Sequence, residues 1–145
     1  MFKKILYPTD FSDAAVKALA YIKKLKASGA KKIVVLHVSD DRGSESVARI
    51  LGEDQFNKLK KSKLEETERR LKAVEKELVD AGLKVKLRLE TGMPFREILR
   101  VENEEKVSIT VIGSHGRSNL EEIFLGSVSE KVIRKSKNPV FVVKR

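Results

Sequence analysis

The sequence predicts a doubly wound α/β domain, a five-stranded parallel sheet with helices on both faces. Three observations predict it. Five short apolar runs rich in Val, Ile and Leu alternate along the chain with segments of helical periodicity. The helices between successive runs supply the right-handed crossovers that parallel neighbours need. Finally, 145 residues without an internal repeat or a low-complexity linker are expected to form one domain, residues 1–145. A domain of that size buries roughly two-thirds of the surface its unfolded chain exposes.

Phe2 to Tyr7 reads as a buried strand ended by Pro8, whose missing N–H suits a strand's last position. After the turn Pro8-Thr9-Asp10, Ser12 offers an N-cap. Ala15, Ala18, Leu19, Ile22 and Leu25 then recur at helical spacing until Ser28-Gly29 stops the helix. Lys32 to Val38 is the second strand, and the polar loop Ser39 to Ser44 leads to a short helix near Val47 to Leu51. From about Asp54 to Ala81, Phe56, Leu59, Leu64, Thr67, Leu71, Val74 and Leu78 form one apolar stripe. On the opposite face Glu65–Arg69, Glu66–Arg70 and Glu68–Lys72 are expected i,i+4 pairs. At 1.5 Å per residue this helix is on the order of 40 Å long, so its first turns are expected to project beyond a small sheet.

Gly82 ends that helix. Leu83, Val85, Leu87 and Leu89 alternate with Lys84, Lys86 and Arg88, the pattern of an edge strand with one wet face. Thr91 to Pro94 is a turn that puts Pro94 at the first position of a helix through Phe95, Ile98, Leu99 and Glu105. Val107 to Ile112 is the fourth strand, Ser127 to about Ser136 the last helix and Val140 to Val143 the last strand.

The absence of cysteine excludes thiol chemistry, Cys-ligated zinc and iron–sulfur clusters, and accords with a reducing cytosol. The N-terminus has too short an apolar run for a signal peptide, and no apolar stretch approaches the roughly 18 residues of a membrane span. A cytoplasmic protein with no membrane partner is expected. The formal charge of +10 is dispersed as pairs such as Lys3-Lys4, Lys23-Lys24 and Lys31-Lys32, without an Arg-rich run or interleaved aromatics. That pattern favours a solvated basic surface over nucleic-acid binding.

The stretch after the fourth strand carries the functional signal. The β-rich run breaks into Gly113 and Gly116, and a second small-residue corner at Gly126-Ser127 opens a helix. Glycine lets the main chain approach a bulky ligand. A helix N-terminus adds unpaired N–H groups and a partial positive charge, so the two corners together predict a phosphate site. No GxxxxGK[ST] loop, no GxGxxG fingerprint and no two-carboxylate metal site accompanies them. The sequence therefore supports binding a nucleotide better than splitting it.

Gly113-x-x-Gly116, nine residues, then Gly126-Ser127 resembles the nucleotide loop of the ATP-binding branch of the universal stress protein family. Tyr7-Pro8-Thr9-Asp10-Phe11-Ser12, Leu36-His37-Val38, Gly92-x-Pro94 and Asn138-Pro139-Val140-Phe141-Val142-Val143 extend the resemblance over nearly the whole chain. It implies the strand order 3-2-1-4-5, which makes strands one and four neighbours whose crossovers leave to opposite faces. Ligands bind at such a switch point, beyond the carboxyl ends of the strands. The resemblance further implies ATP, or AMP or ADP, with adenine at Val38 and the ribose near Pro8, Thr9 and Asp10. Phosphates would lie over Gly113, Ser114, His115, Gly116, Arg117, Ser118 and Asn119, and over Gly126, Ser127, Val128 and Ser129. Asp10 would face a phosphate-bound Mg²⁺ or Mn²⁺, directly or through water. Where many members carry Ala-Asp-Leu-Ile before the glycine loop, this chain has Val107-Ser108-Ile109-Thr110, without the acidic residue.

Several of these residues have a structural alternative. Asp10 closes a turn as readily as it meets a ligand. Ser12 reads as an N-cap, and Ser127 fits a capping box with Glu130 while still able to donate to a phosphate. His115 lies where a general acid or base would be, yet it lacks a partner in the sequence, which favours a backbone contribution alone. His37 is expected to satisfy a hydrogen bond at a strand end. Under the implied order Val140–Val143 is an exposed apolar edge, and pairing across a two-fold axis would cover it, so a homodimer is expected. The rivals to a nucleotide-dependent regulatory module are a slow ATPase using His115 or Asp10 and an ATP-independent interaction scaffold.

Overall fold

The structure, a computed structural model, describes residues 1–115 and 125–145. Its elements alternate as β1 (Lys4–Pro8), α1 (Asp13–Ala27), β2 (Lys32–Ser39), α2 (Ser44–Leu51), α3 (Glu53–Asp80), β3 (Lys84–Thr91), α4 (Pro94–Glu105), β4 (Ile109–Gly113), α5 (Ser127–Lys135) and β5 (Val140–Val143). Every strand pair is parallel and the sheet order is β3-β2-β1-β4-β5, the order the resemblance implied.

Strand side chains alternate between two apolar layers. Ile5, Tyr7, Ile33, Val35, Ile109 and Val111 enter one layer, where α1 and α3 contribute Ala18, Leu19, Ile22, Leu71 and Leu78. Leu6, Val34, Leu36 and Ile112 enter the other, against Ile98 and Val101 of α4 and Val132 of α5. Each fully buried aliphatic side chain contributes about 1.5–3 kcal/mol relative to exposure. Because both faces are covered, β1, β2 and β4 read as continuous apolar runs, whereas edge strand β3 keeps the polar alternation the sequence showed.

Helix ends follow from local chemistry. Ser12 caps α1, its Oγ accepting from the Ala15 N–H at 3.3 Å, and Gly29 follows the helix in the left-handed region at φ 102°. Pro94 opens α4, while its end at Lys106, φ 50°, has no glycine to announce it. Helix α3 projects as expected, and over more than its first turns. Of its seven-residue stripe only Leu71 and Leu78 are buried, whereas Leu59 and Leu64 are 38% and 45% exposed. The stripe runs on after the sheet beneath it has ended, so its first half and α2, which buries no residue, stand clear of the core. The ion pairs also regroup. Glu66 meets Arg70 at 2.8 Å as expected, but Arg69 turns to Glu66 rather than Glu65, and Lys72 lies 3.4 Å from Glu75 rather than pairing with Glu68.

The strand-start end of the sheet is closed by matched polar groups. Buried Glu102 of α4 accepts from Thr110 Oγ1 of β4 at 2.6 Å and from Ser136 Oγ, after α5, at 2.9 Å. Ser108, which stands where the family's acidic residue is missing, accepts from the Lys4 N–H at 3.0 Å and donates to the Lys4 carbonyl at 2.8 Å. Nearby, Glu105 meets Lys86 at 2.6 Å, Lys4 at 2.9 Å and Arg88 at 3.1 Å. Hydrogen bonds from Lys86 and then Lys4 hold its carboxyl well below the usual range, at about 2.

Candidate functional site

The other end of the sheet, where the strands finish, holds a cleft of about 240 Å³. It lies between the ends of β1 and β4, whose crossovers lead to α1 on one face and α5 on the other. Pro8, Thr9, Asp10, Val38, Gly113, His115, Gly126, Ser127, Val128 and Ser129 all border it, so residues far apart in sequence meet. Ser114 does not border it. Gly116, Arg117, Ser118 and Asn119 lie outside the described residues. The cleft is also lined by Ser12, Ala15, Leu36, Pro94, Ile98 and Ile112, which were read from the sequence as capping, core or turn residues. Strand-end and helix-start positions are the signal that would have found them, because at a switch point those ends are the walls.

The turn from β1 into α1 is tied to itself. Thr9 donates its N–H to the Leu36 carbonyl at 2.8 Å, and its Oγ1 accepts from the Phe11 N–H at 3.1 Å. Asp10 Oδ1 accepts from the Ser12 N–H at 2.9 Å, the turn-closing role set against ligand contact. Phe11 sits at φ 62°, a strained region for a bulky residue that these bonds enforce. His37 fulfils its strand-end expectation. Its Nδ1 lies 2.8 Å from the Thr9 carbonyl, which can only accept, so Nδ1 carries the proton. Its ring stacks on Phe11 with centroids 5.0 Å apart. Beneath the turn Tyr7 donates to the Ala15 carbonyl at 2.5 Å, and burial is the main cause that pushes its phenol up to about 12.

Gly113 has a role the sequence did not disclose. A Cβ there would lie 2.9 Å from the main chain of both Ala14 and Ala15, so the missing side chain lets β4 and the first turn of α1 close together. Ser114 spends its N–H on the Val143 carbonyl at 2.8 Å, and its own carbonyl accepts from the Gly126 N–H at 2.7 Å. That last bond fixes the start of α5. Gly126 is the N-cap and Ser127 the first helical residue, so the expected capping box does not form: Glu130 pairs with Arg134 at 2.9 Å instead. The residue counted as a cap by spacing lies one place too far in, and a glycine without a side-chain acceptor leaves the helix start uncapped. The N–H groups of Ser127, Val128 and Ser129, at the opening of α5, have no intrahelical carbonyl to meet. Ser129 Oγ itself donates to the Gly113 carbonyl at 2.6 Å.

Strand parity settles what Val38 offers. In parallel pairing a residue sends its N–H and C=O to the same side, and alternate residues to opposite sides. The Leu36 carbonyl bonds Thr9 on the β1 side, and the Ser39 carbonyl bonds Gly92 on the β3 side. Val38 therefore directs its main-chain groups to the β1 side, beyond the last residue of β1 and into the cleft.

One part of the wall is apolar, with Leu36, Val38, Pro94, Ile98 and Ile112, while the first turns of α1 and α5 bring N–H donors and the positive ends of two helix dipoles. The shape and polarity of such a cleft suit a ligand with a flat apolar moiety and an anionic tail. Asp10 and His115 are the ionisable groups among its described lining residues. No cluster of three metal-ligating side chains occurs among the described residues, and no described helix is long and apolar enough to cross a membrane. Ser114 Oγ lies 2.6 Å from His115 Nδ1, a distance that resembles a nucleophile and its base, but this buried hydroxyl does not reach the cleft.

The match to known proteins spans the chain. Residues 1–144 match the model of the Universal stress protein family. The universal stress protein MJ0577 of Methanocaldococcus jannaschii is 44% identical over 100% of this chain and 96% of its own length. Its solved structure aligns with a TM-score of 0.86, covering 100% of this chain and 97% of that one. Two more distant fold neighbours, 23% and 20% identical with TM-scores of 0.65 and 0.66, were solved in complex with cAMP and with dAMP respectively, the latter from Archaeoglobus fulgidus. Each covers 99% of this chain, with 97% and 98% of the neighbour's own chain matched. The chain belongs to the universal stress protein family.

Proposed function

We propose that this chain is a single-domain, cytoplasmic, ATP-binding regulatory module that works as a homodimer. The observation that carries the reading is the convergence, at the β1/β4 switch point, of an apolar pocket, the outward main-chain groups of Val38 and two helix N-termini. Adenine meets Val38, the ribose meets Pro8, Thr9 and Asp10, and the phosphates meet the glycine loop, at Gly113, His115 and Gly116 through Asn119, and the α5 start, from Gly126 to Ser129. The cAMP and dAMP bound by two fold neighbours support adenine as the base. One carboxylate suits a Mg²⁺ or Mn²⁺ that the phosphates already hold, with Asp10 facing it directly or through water.

Binding rather than turnover fits the cleft, because two of its three described serines are spent: Ser12 and Ser129 donate to the His115 and Gly113 carbonyls. Mass spectrometry of small molecules released from freshly purified protein is the direct test. An adenine nucleotide supports the reading, and an empty protein that also gives no heat with ATP and Mg²⁺ overturns it. Dimerisation rests on β5, an edge strand whose Phe141 is 37% exposed beside Tyr21, 5.6 Å between centroids. A monomer in light scattering at micromolar concentration would count against it.

A further inference from the structure

His115 presents an anomaly inside the cleft wall. Its Nδ1 lies 2.6 Å from Ser114 Oγ, while its Nε2 is buried and has no hydrogen-bond partner among the described residues. Buried polar atoms in folded proteins are nearly always paired, so an orphan in a ligand cleft points to a partner from outside the chain. We propose that the His115 side chain is a specificity-determining hydrogen-bond donor to the ligand's phosphate, held as the Nε2–H tautomer by Ser114. This deepens the nucleotide reading and rests on it.

The tautomer follows from counting protons. If Nδ1 donated to Ser114 Oγ, the buried hydroxyl would keep a proton with no acceptor and Nε2 would keep an unused lone pair, two buried failures. If Ser114 Oγ–H donates to Nδ1, both groups of that contact are used and one group is left over, the Nε2–H. The carbonyl of His115 accepts from Ser12 Oγ at 3.2 Å, which ties the residue to the first turn of α1. The groups left over at the α5 start, on the same cleft, are also donors, the N–H groups of Ser127 to Ser129. Donors converging with donors call for an acceptor-only moiety with several oxygens, which a phosphate is and an adenine or a ribose is not. The side chain thus does more than the backbone contribution that the sequence favoured.

The two histidines make the test clean, since His37 is fixed in the opposite, Nδ1–H tautomer by the Thr9 carbonyl. Nitrogen-15 NMR of the imidazoles of the full chain should show one histidine of each tautomer, and in Ser114→Ala only the His115 pattern should change. Adding ATP and Mg²⁺ should shift His115 Nε2. In calorimetry His115→Asn, which cannot place a donor at Nε2, should lose roughly tenfold to a hundredfold in affinity for ATP, because a hydrogen bond to a charged group is at stake. His115→Gln, whose amide can occupy the Nε2 position, should recover most of it. Adenosine, without phosphate, should bind all three proteins equally. An Nδ1–H tautomer at His115, or ATP affinity unchanged in His115→Asn, overturns the proposal while leaving the nucleotide reading standing. Wild-type protein that binds no adenine nucleotide overturns both. Equal losses for ATP and adenosine mean a structural role, and overturn the donor role too.

Discussion

The two ends of the parallel sheet hold similar polar residues and use them in opposite ways. At the strand-start end a buried carboxylate, three hydroxyls and a strand N–H and C=O are paired within the chain: Glu102 with Thr110 and Ser136, Ser108 with Lys4. At the strand-finish end glycine replaces side chains, α1 and α5 begin at the cleft, and a buried histidine nitrogen is left without a partner among the described residues. One end completes its own hydrogen bonds and contributes stability. The other leaves donors over, at a cost to stability, and can bind. Substitutions at the first should therefore change folding alone, and substitutions at the second should divide their effect between folding and ligand.

The largest test is Glu102→Ala. It removes the acceptor for Thr110 and Ser136 and leaves a hole in the junction of α4, β4 and the approach to β5. Stability in urea should fall by about 2–4 kcal/mol, with ATP affinity unchanged in whatever protein remains folded. A loss of affinity larger than threefold would mean the two ends are not separable.

Gly113→Ala comes next and should break the division, because Gly113 belongs to both roles. The new Cβ meets main-chain atoms of Ala14 and Ala15, which cannot swing aside as a flexible side chain would. A loss of about 1–3 kcal/mol is expected from overpacking, together with weaker ATP binding as the first turn of α1 moves out of line. Stability unchanged from wild type would show that β4 and α1 tolerate separation.

These two residues also mark how far the sequence could be read. Strand order came with the resemblance, and β5 was found at its observed limits, Val140–Val143, as the last of the apolar runs. The cleft's walls were legible too, since the glycine corners sit at element ends, and ends cluster at a switch point. What stayed hidden depends on distance in space. Spacing cannot tell a glycine kept for a ligand from one kept for a helix 98 residues away, and nothing local pairs Glu102 with Ser136. Spacing also left open how much of α3 would project. Period 3.6 continues through Leu59 and Leu64, but whether a stripe is core depends on how far the sheet beneath it extends.

Ser129→Ala sharpens the contrast at lower amplitude. Its hydroxyl borders the cleft but donates to the Gly113 carbonyl at 2.6 Å, so it behaves like a residue of the self-completing end placed among the open ones. About 1 kcal/mol of stability should be lost, with affinity within twofold of wild type. A tenfold loss of affinity without loss of stability would put the hydroxyl on the ligand instead.

The smallest effect belongs to acid pH at the closed end. Glu105 is held at about 2 against an ordinary value of 4.5, chiefly by hydrogen bonds from Lys86 and Lys4. A carboxyl with a lowered folded pKa binds protons less readily in the native state than in the unfolded one. Its contribution is therefore present above about 4.5 and is lost as the pH falls towards 2. Because Lys86 is 61% exposed, solvent screens the pair and the contribution should be about 1 kcal/mol at most. Glu105→Gln should then lie closest to wild type near pH 2 and fall furthest below it at neutral pH. Urea midpoints measured at both pH values decide it: a constant gap would mean that Glu105 contributes by packing, and that the closed end owes nothing to this charge.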